Sequence, residues 1–235
     1  MAGMKRPWIL VAVAAIAILA ALAAIFGPQL YAQSQGPAPE PLSVSSPSPS
    51  GSAAAPTSPS TGSSNDAGTW NVASGSQAGY RIDEVLNNAN VTVVGRTDQV
   101  SGTATVSGTQ LTAASITVDV ASIATDSGNR DNYFRGTVMK AETFPTASFT
   151  LTAPVTIPAL SSAPAAVDAK GTLELAGQKR DVAAKLQLVR DGAKVSVSGS
   201  IDLVLADFGI SAPDLGFVKV ENTGKVEFLV HLEKA

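Results

Sequence analysis

The chain has no cysteine and a single histidine, His231. These absences remove thiol nucleophiles, cysteine-bound zinc, a lipidated cysteine and any two-histidine metal site. Aromatic residues make up 5% of the sequence and charged residues 15%, where about 25% charged is usual for a soluble protein. Sixteen Lys plus Arg against nineteen Asp plus Glu give a net charge of −3. No basic excess is left to neutralise a phosphate backbone, so nucleic acid is not expected as a partner. Most hydrolytic and redox chemistry loses its usual side chains, and the chain reads as a non-enzyme with no cofactor and no metal.

What is present falls into three compositional segments. From Trp8 to Phe26 no residue is charged or strongly polar, and at 1.5 Å per residue the stretch is about 28 Å long, close to the hydrocarbon core of a bilayer. Lys5 and Arg6 precede it and the next basic residue is Arg81, a bias that places the N-terminus in the cytoplasm and the remainder outside. Residues 1–32 are therefore expected to be an N-terminal signal anchor with a transmembrane helix over 8–26, making the chain a single-pass protein of the cell membrane with its C-terminal domain extracytoplasmic. The alternative is a signal peptide cleaved after Leu30-Tyr31-Ala32, which would release the domain as a secreted protein. Residues 33–68 carry seven of the fourteen prolines, many serines, and only Leu42 and Val44 as large aliphatics. A segment with so little apolar surface to bury is expected to be a disordered linker. Residues 69–235 are long enough for one domain with a core.

Within that domain, alternation of period two dominates, the mark of strands with one buried face. Ile116, Val118 and Val120 alternate with polar neighbours, as do Phe149 with Leu151 and Leu173 with Leu175. Val182 to Leu188, Val195 to Leu205 and Val226 to Leu232 continue the pattern. Asp191-Gly192 and Asn222-Thr223-Gly224 stand between such runs and read as hairpin turns, so neighbouring strands are expected to be antiparallel. Seven or eight strands without helical alternation fit a closed barrel or a sandwich. Asp126 to Glu142 reads as a short helical insertion, because Phe134 and Val138 are spaced four apart behind possible caps at Asp126 and Ser127, although Gly136 weakens it. His231 falls on the face opposite Phe228, Val230 and Leu232, an outward position unsuited to acid–base chemistry.

Four pieces of the domain resemble the YceI-like family. Ser122-Ile123-Ala124-Thr125 leads to Arg130-Asp131, and then Phe144-Pro145-Thr146-Ala147-Ser148-Phe149 opens the next strand. Gly171 to Gly177 looks like the family's Gly-x-Leu-x-x-x-Gly hairpin, and Asp207-Phe208-Gly209-Ile210 like its Asp-Phe-Gly-Ile turn. The similarity covers about Trp70 to Leu232; the family's basic residue two before that aspartate is Leu205 here. The resemblance implies an all-β fold, an antiparallel eight-stranded lipocalin-like barrel with a short helical insertion, whose lumen holds a polyisoprenoid or other long-chain amphiphile. An eight-stranded barrel is just wide enough to be filled by side chains or to hold one slender ligand.

On that reading Ile116, Val118, Phe149 and Leu173 point inward around the ligand, with Ala184 as a small neighbour that leaves room. Phe134, Phe144 and Phe149 bracket the insertion as an apolar collar, or simply pack it on the barrel. Arg130 meets an anionic head group at the mouth, or merely fixes the insertion over the barrel end. Two functions stand side by side: a membrane-tethered binding module, and an envelope adhesion or interaction domain with a filled barrel and no ligand. Pairing across a two-fold axis leaves no unique pattern, so a homodimer stays open.

Overall fold

The single-faced apolar files close on themselves. The computed structural model describes residues 37–44, 66–86 and 89–235. The expected transmembrane helix 8–26 lies outside them, and among the described residues no helix is long and apolar enough to cross a membrane.

Strands β1 (Gly68–Val72) and β2 (Gln77–Leu86) both pair with the long C-terminal strand β11 (Val218–Lys234), Val72 opposite Leu232 and Gln77 opposite Leu229. They form one bulged stave. Ser76, 2% exposed, makes the bulge: its hydroxyl donates to the Ala73 carbonyl at 2.7 Å and accepts the His231 amide at 3.0 Å. Strands β3 (Ala89–Thr97) and β4 (Val100–Ser107) form the second stave in the same way, pairing with β2 and β1. The circuit continues antiparallel through β5 (Gln110–Asp119), β6 (Thr146–Leu151), β8 (Ala165–Leu175), β9 (Gln178–Asp191) and β10 (Lys194–Val204) back to β11. A two-residue strand, β7 (Val155–Thr156), pairs with the start of β5. The result is a closed antiparallel barrel of eight staves, as the family resemblance implied.

Asp191-Gly192 does turn the chain between β9 and β10, with Gly192 at φ +58°. Asn222-Thr223-Gly224 does not: these residues lie inside β11, where the register to β2 slips between Val220 and Gly224. The triplet is a bulge. Glycine suits it because a Cβ at 224 would stand 3.1 Å from the Arg81 carbonyl oxygen.

The two ends differ. At one, Trp70 is buried with Ala104, Val106 and Val195, and Leu111, Ile157 and Leu160 pack against it. Its indole donates to the Asp66 carbonyl at 2.9 Å, and Arg190, ion-paired with Asp66, lies over the ring. That end is plugged. At the other, the expected insertion forms helix α1 (Gly128–Tyr133), capped by the Ser127 hydroxyl, and then a π turn over Phe134–Val138. Just before it the chain bridges to the end of β3, where Arg96 and Ala124 exchange backbone hydrogen bonds of 2.9 and 3.0 Å.

Residues 37–44, expected to belong to a disordered linker, lie instead on the outer wall. Arg81 Nη2 donates to the Pro39 carbonyl at 2.6 Å, Arg96 to the Glu40 carbonyl, and the Val44 amide to Ser198 Oγ at 3.1 Å. Beneath this strap Glu227 is 5% exposed although it points away from the lumen, held by Arg81 Nε at 2.6 Å. The rest of the linker, 33–36 and 45–65, is outside the described residues.

Candidate functional site

Inside the barrel the side chains pack along the wall and leave a cavity between them. Ala78, Ala104, Ala114, Ala147, Ala169 and Ala184 all line the inner chamber, a cavity of about 170 Å³. A second chamber of about 560 Å³ lies under the insertion. Ala78, Val118, Ala147, Leu175 and Val226 line both, so the two are successive parts of one lumen. Several inward residues, among them Ile116, Phe149, Leu186, Val197 and Phe228, are only half-buried within a closed barrel. Phe149, Leu186, Val197 and Phe228 pack against the core on one side and line the chamber on the other.

The residues anticipated from the sequence divide between the chambers. Ile116, Phe149, Leu173 and Ala184 line the inner chamber, and Val118 stands at its junction with the outer one. Phe134 lines the outer chamber and stacks on Tyr80, ring centroids 4.8 Å apart. Phe144 lines neither. It packs over the β8–β9 turn, where Gly177 at φ +74° has no side chain to obstruct the ring; with Phe149 in the inner chamber, only Phe134 of the expected collar stands at the mouth.

Arg130 reaches the outer chamber and spends its charge on the protein. Its guanidinium stands 3.4 Å from Glu84 Oε1 and 2.5 Å from Asp126 Oδ1. Asp131 behind it is buried, accepting the Thr125 amide at 2.9 Å and the Thr125 hydroxyl at 2.7 Å. These bonds anchor the insertion over the mouth. Glu84 faces inward from β2 and is 6% exposed. Burial pushes its carboxyl above the ordinary carboxylate value, and the Arg130 charge partly opposes the rise. Burial also pushes the Tyr80 hydroxyl far up, so it stays neutral at any physiological pH. Tyr80 and Glu84 were missed from sequence because their file, Ala78, Tyr80, Ile82, Glu84 and Leu86, carries a carboxylate where an apolar residue is expected. Trp70, at the far end, was missed because β1 has only five residues.

His231 points outward and hydrogen-bonds Ser196 Oγ through Nδ1 at 2.8 Å. Among the described residues no cluster of three His, Cys, Asp or Glu side chains is placed to hold a metal ion.

An antiparallel barrel plugged at one end, bearing a short helix beside the mouth at the other and lined by apolar side chains defines a lipocalin-like class of protein. The YceI-like domain model matches residues 70–232, and the chain belongs to that family. A polyisoprenoid binding domain from Saccharophagus degradans, described as implicated in plant cell wall breakdown, superposes with a TM-score of 0.57 at 20% identity, covering 71% of this chain and 98% of its own. BcnA of Burkholderia cenocepacia gives 0.53 at 20% identity, covering 66% of this chain and 95% of its own. A Campylobacter jejuni YceI protein gives 0.50 at 19% identity, covering 60% and 85%. A search of curated proteins finds no match.

Proposed function

We propose that this chain is a binding module that holds a polyisoprenoid or similar long-chain apolar ligand in its lumen, on the outer face of a membrane to which residues 8–26 anchor it. The observation that carries the reading is the continuous apolar lumen, whose outer chamber of about 560 Å³ lies in the ~300–1,000 Å³ range of small-molecule sites. The six alanines of the inner chamber leave the space an extended chain needs. The Saccharophagus degradans relative, described as polyisoprenoid binding, has the same fold. The wall offers a chain contact along its length, and among the described residues that line it none is a nucleophile paired with a base.

The test is to purify the full chain in mild detergent, extract it with organic solvent and identify the extract by mass spectrometry. A co-purifying isoprenoid, or uptake of added octaprenol, is the expected result. An empty extract with no octaprenol uptake overturns the reading in favour of an envelope interaction domain. Protease on intact cells should release the barrel from the membrane; recovery of the barrel from the medium without protease would show a cleaved signal instead.

A further inference from the structure

Four large hydrophobic side chains are exposed among the described residues: Tyr133 at 39%, Val204 at 45%, Leu215 at 50% and Phe217 at 57%. All four sit at the open end of the barrel. Val204 ends β10, Tyr133 ends α1, and Leu215 and Phe217 form the tip of the connection from β10 to β11. Tyr133, Leu215 and Phe217 also line the outer chamber, so the exposed rim and the apolar lumen are one surface. The tip is a built turn: the Leu215 amide donates to the Val218 carbonyl at 2.8 Å, the Gly216 amide to Asp214 Oδ1 at 3.1 Å, and Gly216 takes φ +80°. Its apolar side chains are presented outward by a fixed backbone.

The strap on the outer wall has a direction. Pro39 is bonded by Arg81, which stands opposite Lys225 of β11. Glu40 is bonded by Arg96, whose neighbour Gly79 stands opposite Glu227. Val44 is bonded to Ser198, opposite Leu229. Because β11 runs from Val218 at the open end to Lys234 at the plugged end, the chain travels away from the mouth. It reappears at Asp66, on Arg190 at the plugged end. The N-terminal side of the strap is thus the side nearer the mouth, and only residues 27–36 separate it from the apolar segment that ends at Phe26. Ten residues reach at most about 36 Å.

We propose that the open end of the barrel is a lipid-contacting surface, its rim of Tyr133, Leu215 and Phe217 set against the outer leaflet of the membrane that the chain's own N-terminal segment crosses, with the strap holding the barrel mouth-down. This rests on the anchored reading. Exposed apolar and aromatic groups gain by entering an interface, and a mouth in contact with lipid spares a long apolar ligand a passage through water.

The absence of cysteine makes the experiment clean. Full-length Leu215→Cys and Ala193→Cys chains, the latter in the β9–β10 turn at the plugged end, are labelled with nitrobenzoxadiazole and reconstituted into phosphatidylcholine vesicles carrying acyl-chain nitroxides. The probe at 215 should lose most of its emission and the probe at 193 little. Replacing residues 37–44 by a Gly-Ser sequence of equal length should reduce the loss at 215. Equal quenching at both ends, stronger quenching at 193, or none at 215 in chains that float with the vesicles overturns the proposal while leaving the anchor intact. Chains that do not float overturn the anchored reading and the proposal together. Undiminished quenching in the strap variant overturns the strap's part in it. Octaprenol uptake, measured on the same chains, reports separately on the lumen.

Discussion

Phe149 owes its place in the lumen wall to the missing side chain of Gly171. The two strands approach so closely that a Cβ at 171 would lie 2.3 Å from Phe149 Cζ and 2.6 Å from the Thr150 carbonyl oxygen. Gly171→Ala is expected to cost about 1–3 kcal/mol, as overpacking does, and to swing the ring into the chamber; urea denaturation measures the first effect and octaprenol uptake the second. Glu84 and Arg130 make a second residue-level case. Burial binds the Glu84 proton more tightly in the folded chain than in the unfolded one. The stability this group supplies is therefore complete below the ordinary carboxylate value and is lost as pH rises through the raised one. Arg130 limits that loss by pairing with the ionised form. Arg130→Met should cost about 1–3 kcal/mol at neutral pH, where a buried carboxylate is left with no cation beside it, and the deficit should shrink as the pH falls into the ordinary carboxylate range. Adding Glu84→Gln should recover most of the loss at neutral pH. Urea midpoints across pH check this, and a deficit independent of pH would assign Arg130's role to Asp126 or to packing. Asp126 is 56% exposed, and exposed pairs contribute little.

Among the elements, the strap shows how composition and structure part company. Residues 33–68 have almost nothing apolar to bury, which is why disorder was expected of them, but a proline-rich stretch keeps its carbonyls free of internal hydrogen bonds. Here Arg81 and Arg96 use those carbonyls, and half-buried Leu42 and Val44 add contact. Exchanging 37–44 for a Gly-Ser sequence should lower the melting temperature by about 2–6 °C, the equivalent of roughly 1–2 kcal/mol in a domain of this size; a change within about a degree would mean the strap adds no stability. The alternating stretches of β5, β6, β8, β9 and β10 and the second half of β11 were legible because their period of two is unbroken. So was the insertion, whose Phe134 and Val138 keep a helical spacing around Gly136. The first two staves were not legible: β2 turns Glu84 inward, and the partner that makes this tolerable, Arg130, is 46 positions away. Nor was the fate of Asn222-Thr223-Gly224, since small polar residues and glycine suit a turn and a bulge alike, and only the register with β2 distinguishes them. The collar failed at Phe144 for a related reason. Sequence places it beside the mouth, but whether it faces the lumen or the β8–β9 turn depends on the glycine at 177.

At the scale of the whole molecule, the barrel is a closed wall around space, and the stability of such an object depends on what occupies it. A ligand that binds only the folded state adds RT ln(1 + [L]/Kd), about 2.7 kcal/mol at a hundredfold excess over Kd. For a domain of this size that is a rise of about 5–10 °C in melting temperature. Ala184 is the position from which to interfere: it is 1% exposed, lines the inner chamber, and stands opposite Ala169 on β8, so neither side chain fills the wall between them. Ala184→Trp places an indole where the chain of the ligand would run. If the lumen is a binding site, the variant should melt at nearly the wild-type temperature without ligand, because the indole enters existing space, and should lose most of the rise that octaprenol gives the wild type. If the barrel is instead packed in solution, the same indole has nowhere to go. It should then cost roughly 1–3 kcal/mol with or without octaprenol, and the wild type should show no rise. Paired melting curves of the two chains with and without octaprenol separate these outcomes, and a wild type that octaprenol does not stabilise, beside a variant that is merely less stable, would give the protein to the filled-barrel reading.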